Sequence, residues 1–79
     1  KEMYDNATDT FYQVVKGTGD SKLVAEAYNN IGKCYFKKRQ YKKALQAFTR
    51  GIDEDPANEE LRMNRKAASQ SYEAELSRE

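Results

Sequence analysis

Six side chains share one helical face near the middle of this sequence. Glu26, Asn29, Asn30, Lys33 and Lys37 recur at spacings that put them on one side of a helix, and Phe36 falls on the same side. An asparagine amide both donates and accepts, which suits a peptide backbone. A lysine ammonium donates to a carboxylate, and an aromatic ring offers apolar contact. The stripe has the means to recognise an extended peptide or its carboxylate.

Chemistry that transforms a substrate is harder to find. The chain contains no histidine, so the commonest general base and the commonest metal ligand are both missing. The stretch KGTGDSKL is superficially a phosphate loop, but Ser21 precedes Lys22, Leu23 follows it, and the stretch comes after a helix rather than a strand. Asp53, Asp55 and Glu59 lack the glycine and the ligand spacing of a calcium loop. They read instead as the acids of a turn. No catalytic residue, cofactor site or metal site is predicted.

Composition narrows the class further. Seventy-nine residues allow one small domain, and 34% charged against 38% hydrophobic residues makes it polar without being disordered in character. A net charge of +1 argues against a nucleic-acid partner. No apolar run is long enough for a membrane span. A lone cysteine, Cys34, excludes an internal disulfide and fits a reducing compartment, the cytoplasm. Its position one step off the apolar stripe suggests a buried packing thiol. The chain begins at Lys1 with neither methionine nor a leader-like segment, and so reads as a piece of something longer. Asn6-Ala7-Thr8 has the form of a glycosylation sequon, but Ala7 belongs to a predicted helix stripe. KKRQYKK, residues 37–43, is read as a solvated turn.

The elements that must position the stripe are helices. Tyr28, Ile31, Gly32 and Tyr35 follow helical stepping, as do Tyr41, Ala44, Leu45, Phe48 and Ile52 after a break at Arg39–Gln40. Two helices joined by two residues form an antiparallel hairpin. Asp55, preceding Pro56, ends the second of them. Residues 59–78 form a third, more polar pattern, with Leu61, Ala68, Tyr72 and Leu76 on one side. Tyr4, Ala7, Phe11, Val14 and Val15 match Tyr41, Ala44, Phe48, Gly51 and Ile52 at a constant offset of 37 residues. Self-similarity at this period is the mark of a solenoid array.

Tyr28-x2-Ile31-Gly32-x2-Tyr35, Ala44-x3-Phe48 and Asp55-Pro56 together resemble the signature of the tetratricopeptide repeat, spanning residues 25–58. The resemblance implies an all-α fragment of about four helices. Residues 1–17 would be the second helix of a preceding repeat, 25–58 the complete repeat, and 59–78 a C-terminal capping helix. It also implies a use for Gly32, a residue that costs about 1 kcal/mol inside a helix. In this family two helices approach where small residues meet, here Gly32 and Ala44. The sequence departs from the family pattern at the turn, where Arg39 and Gln40 replace a glycine and a capping residue. It also departs at Lys42 and Lys43, which oppose the helix dipole, and at Gly51.

By the same resemblance the function is non-catalytic protein–protein interaction, as a scaffold or adaptor. A groove lined by the first helices would receive a protein or an extended peptide, acidic or C-terminal. Its contacts would be Asn29, Asn30, Lys33, Phe36 and Lys37, with Arg62 and Arg65 adding charge at one end. Some family members clamp a C-terminal carboxylate. Asn30 matches the clamp asparagine, whereas Glu60 and Asn64 replace the clamp cations of the following helix. The alternatives are a structural spacer and self-association through the exposed N-terminal end.

Overall fold

A computed structural model describes residues 11–17 and 19–78. Every regular element among them is a helix. The described part of α1 covers residues 11–17; α2 is Ser21–Lys37, α3 Tyr41–Glu54 and α4 Glu59–Ser77. The matches at Tyr4 and Ala7, the sequon, and the start of the helix expected over residues 1–17 lie outside the described residues.

Helix α2 starts before the repeat motif does, because Asp20 caps it. The Asp20 carboxylate accepts from the backbone N–H groups of Lys22 at 2.9 Å and Leu23 at 3.3 Å, which satisfies two of the free donors at a helix start. Asn58 does the same for α4, its side chain accepting from the Leu61 N–H at 3.0 Å. Glu59 and Glu60 follow in the first turn, where the helix dipole favours negative charge.

The link between α2 and α3 is three residues, one more than the stepping of the apolar positions suggests. Lys38 ends α2, and Arg39 takes a left-handed φ of 63°. The Arg39 N–H then donates to the Phe36 carbonyl at 3.0 Å and the Gln40 N–H to the Tyr35 carbonyl at 2.9 Å. This is a Schellman closure formed without its usual glycine. Gln40 begins α3 without a side-chain cap, and its Oε1 is buried with no partner.

The core lies where α2, α3 and α4 meet. Ala25, Ala44, Phe48, Leu61 and Ala68 are buried together, with Tyr35, Phe36, Leu45 and Ile52 packed around them. Burying a side chain the size of Phe48 contributes about 1.5–3 kcal/mol. A β-carbon on Gly32 would stand 2.6 Å from Phe48 Cδ1 and 2.7 Å from Cζ, with Cε1 nearer still. The three atoms nearest to that position all belong to the Phe48 ring, so the ring of α3 lies directly over Gly32. Gly51 has a similar role, since a β-carbon there would meet Leu61 Cδ2 at 2.8 Å and the Ala25 carbonyl oxygen at 3.3 Å. Leu61 and Ala68 of the third pattern are buried as expected, Tyr72 is half-buried, and Leu76 is exposed. Cys34 is half-buried rather than enclosed.

Candidate functional site

The predicted stripe lies along α2 on the side that faces α4, and it is not uniform. Asn29, Asn30 and Lys33 line one cleft together with Glu26, Asp55 and Glu60. Lys33, Phe36 and Lys37 line a second, smaller pocket, whose far wall is Asn64 and Ala67 of α4 and whose floor is Phe48. Lys33 belongs to both and joins them. The first of these is thus a mixed-charge cleft, with Lys22 also in its lining, while the second pairs lysines with apolar surface.

Two of the expected contact residues are engaged within the chain. Asn29 is only 6% exposed, and its Oδ1 accepts from the Asn64 amide at 2.7 Å. The Lys33 ammonium lies 2.8 Å from Glu60. Hydrogen bonds from Lys33 and then Asn29, with the Lys33 charge after them, hold the Glu60 carboxyl below its ordinary range. Asn29 and Lys33 therefore tie α2 to α4, so Asn29 is part of the groove's foundation more than of its open surface. Phe36 is also half-covered, packing edge-on against Tyr41 with ring centroids 5.2 Å apart. Asn30 is half-buried, and Lys37 is exposed.

Arg62 and Arg65 do not join these residues. They line a separate depression between α3 and α4, with Leu45, Thr49, Met63 and Lys66. The reason is helical geometry: two residues turn the chain about 200°, so Arg62 points nearly opposite to Glu60. The groove's α4 wall consists instead of Glu60, Asn64 and Ala67. Ala67 is the member that sequence reasoning did not find. Its spacing of seven from Glu60 was the available signal.

A third cluster occupies the opposite side of the hairpin. Tyr12 of α1 meets Tyr28 and Tyr35 of α2 beside Lys43 and Arg50 of α3. Burial, followed by the hydrogen bond with Tyr35, raises the Tyr12 phenol above its ordinary 10.0. Lys38 and Lys43 sit over the Tyr35 ring at 5.9 and 5.7 Å. These contacts fasten the repeat to the helix before it. Among the described residues no group of three histidine, cysteine or acidic side chains is placed to hold a metal ion, and no helix is long and apolar enough to cross a membrane.

An antiparallel helix pair with a glycine under an aromatic ring, followed by a third helix packed in series, defines a unit of an α-helical repeat array. The family model of the tetratricopeptide repeat matches residues 25–58. Residues 25–58 thus match a repeat of that family, whose members in general mediate protein–protein interaction and are in general non-catalytic. The chain matches no curated protein and no solved structure.

Proposed function

We propose that the groove between α2 and α4 binds a segment of a partner protein, seating one apolar side chain in the Phe36 pocket and a carboxylate beside Lys37. The observation that carries this reading is the pocket itself. It offers about 130 Å³ between Phe36, Phe48 and Ala67, and lysines flank its mouth. That is the size class of a cavity that takes one benzene-sized group. Lys33 and Lys37 are both exposed, and because Lys33 already faces Glu60, Lys37 is the cation left to meet a ligand. The ligand is thus an extended peptide with an apolar residue next to an acidic one or next to its own C-terminal carboxylate. No catalysis, nucleic acid or membrane enters this reading, and the protein acts in the cytoplasm as a scaffold or adaptor.

A carboxylate clamp centred on Asn30 is the less favoured form of the same reading. Glu26, Asp55 and Glu60 outnumber Lys22 and Lys33 in that cleft, and Lys33 is already paired with Glu60, so a further carboxylate there would meet a net negative charge. The mixed groove gives a ligand a direction, with its acidic end toward Lys37 and any basic group toward Glu26. Self-association through the N-terminal end remains the alternative that a specific feature favours, since Val14 of α1 and Leu23 of α2 are exposed apolar residues.

The test is a backbone amide NMR titration with a peptide ending in leucine and aspartate, against its scrambled form. Saturable shifts at Asn30, Lys33, Phe36, Lys37 and Ala67, weakened by Lys37→Glu, are expected. Silence from a well-dispersed helical spectrum refutes the groove as a receptor. A mass that rises with protein concentration supports self-association instead.

A further inference from the structure

The depression between α3 and α4 lies on the far side of α4 from the groove, and its chemistry is different. Arg62, Arg65 and Lys66 project from α4 around it, Leu45 and Thr49 of α3 form its other side, and Met63 stands at its rim, 70% exposed. It is an open depression of about 690 Å³, and no acidic side chain is among its lining residues. Acids and bases are nearly balanced over the chain, at thirteen and fourteen. The grouping of three cations on one face is therefore a local segregation of charge.

The position of this face in the repeat explains what it is closed to. One repeat length after Tyr28, Ile31, Gly32 and Tyr35, measured by the matched span 25–58, stand Arg62, Arg65, Lys66 and Ser69. In the complete repeat those positions receive the second helix, with Phe48 seated against Gly32. Lys66 in place of the glycine denies such an approach, and two arginines replace the apolar residues beside it. Neither another repeat of this type nor the α1 of a second copy packs there in the same way. A segment that sits higher, reaching the cations through its own carboxylates, is not obstructed.

We infer that this basic depression is a second docking surface, for an acidic segment of a partner protein that carries an apolar side chain onto Leu45 and Met63. Charge complementarity sets the sign of the partner. The exposed methionine, a side chain that adapts to varied apolar shapes, favours a peptide over a nucleic acid. Phosphates would use the cations and leave Met63 and Leu45 without a partner. The surface is independent of the groove beside Lys37, and one ligand does not span both.

Binding of a fluorescein-labelled peptide of alternating glutamate and leucine pairs to the full chain tests the proposal. Its lysine counterpart and a single-stranded thymidine oligonucleotide serve as the other arms. Saturable binding of the acidic peptide is expected, with amide shifts at Thr49, Arg62, Met63 and Lys66. Arg62→Glu combined with Lys66→Glu weakens it about tenfold, the scale expected when two exposed ion pairs are removed at once. Met63→Gln also weakens it, and every comparison is made in the Lys37→Glu background, which removes the groove's own affinity for an acidic, apolar peptide. All four substituted residues are exposed, and an unaltered helical circular dichroism spectrum shows that each variant is folded. The proposal is overturned if the acidic peptide fails to saturate, if the double variant binds it equally well, or if the oligonucleotide binds more tightly.

Discussion

The ring of Phe48, 2% exposed, fills the space in which a side chain on Gly32 would begin. It is the contact that lets α2 and α3 close on one another, and it accounts for a glycine in the middle of α2. The propensity gain from replacing Gly32 by alanine is about 1 kcal/mol. A β-carbon inside van der Waals range of three ring atoms more than offsets it, because the ring is enclosed and overpacking costs about 1–3 kcal/mol. Gly32→Ala should lower stability by about 1 kcal/mol and Gly32→Leu by several. Urea unfolding followed by circular dichroism measures both, and an alanine variant more stable than the parent would refute the account.

The turn should respond in the opposite direction. Arg39 holds a left-handed conformation that costs a side-chain-bearing residue about 1–2 kcal/mol, and glycine adopts it freely. Gln40 occupies a helix start without capping it and buries an unpartnered oxygen. Arg39→Gly is expected to stabilise by about 1 kcal/mol. Gln40→Asp is expected to add a similar amount through a cap and a charge that answers Lys42 and Lys43. Together they should raise the melting temperature by about 10 °C. No change in the Gln40→Asp variant would mean that the α3 N-terminus is satisfied in another way.

The helices were legible because their apolar positions step at helical intervals, as Tyr28 to Tyr35 and Tyr41 to Ile52 do. The ring over Gly32 was not. A helical side chain leans toward its own N-terminus, so the Phe48 ring reaches back over the turn that Ala44 marks and covers Gly32. The left-handed turn was hidden because arginine carries no signal for it. Arg62 and Arg65 were drawn into the groove by their charge, although two residues along a helix from Glu60 put Arg62 on the other side. The Asn29–Asn64 pair spans 35 positions. Nothing in one sequence distinguishes a buried amide paired with a half-buried one from two solvated ones.

The ion pair between Lys33 and Glu60 gives the groove a pH dependence of defined sign. The folded state holds the Glu60 carboxyl below its ordinary value of 4.5. Its contribution to stability is therefore complete above that value and is lost as the pH falls through the folded value beneath it. Both side chains are largely exposed, so the effect is small and screened by salt. Carboxyl NMR titration should place Glu60 below its ordinary 4.5, and Lys33→Ala should move it upward. Should Glu60 titrate at its ordinary value in the parent protein, the pair is not formed in solution. Lys33 would then be free to meet a ligand in the groove.

The Asn29–Asn64 hydrogen bond makes the sharpest distinction between foundation and surface. Asn29 is buried and accepts from Asn64, so removing that donor leaves a buried oxygen without it, at a cost of about 1–3 kcal/mol. Asn64→Ala is expected to destabilise by that amount. Asn30→Ala, at a half-buried position one residue further along α2 from Asn29, should change stability by less than about 0.5 kcal/mol. The order reverses for peptide binding if Asn30 contacts the ligand: Asn30→Ala weakens binding at unchanged stability, and Asn64→Ala acts mainly through the fold. Equal melting temperatures for the two variants would show that the amide pair contributes nothing to joining α2 and α4. Asn29 would then return to the set of residues available to a partner.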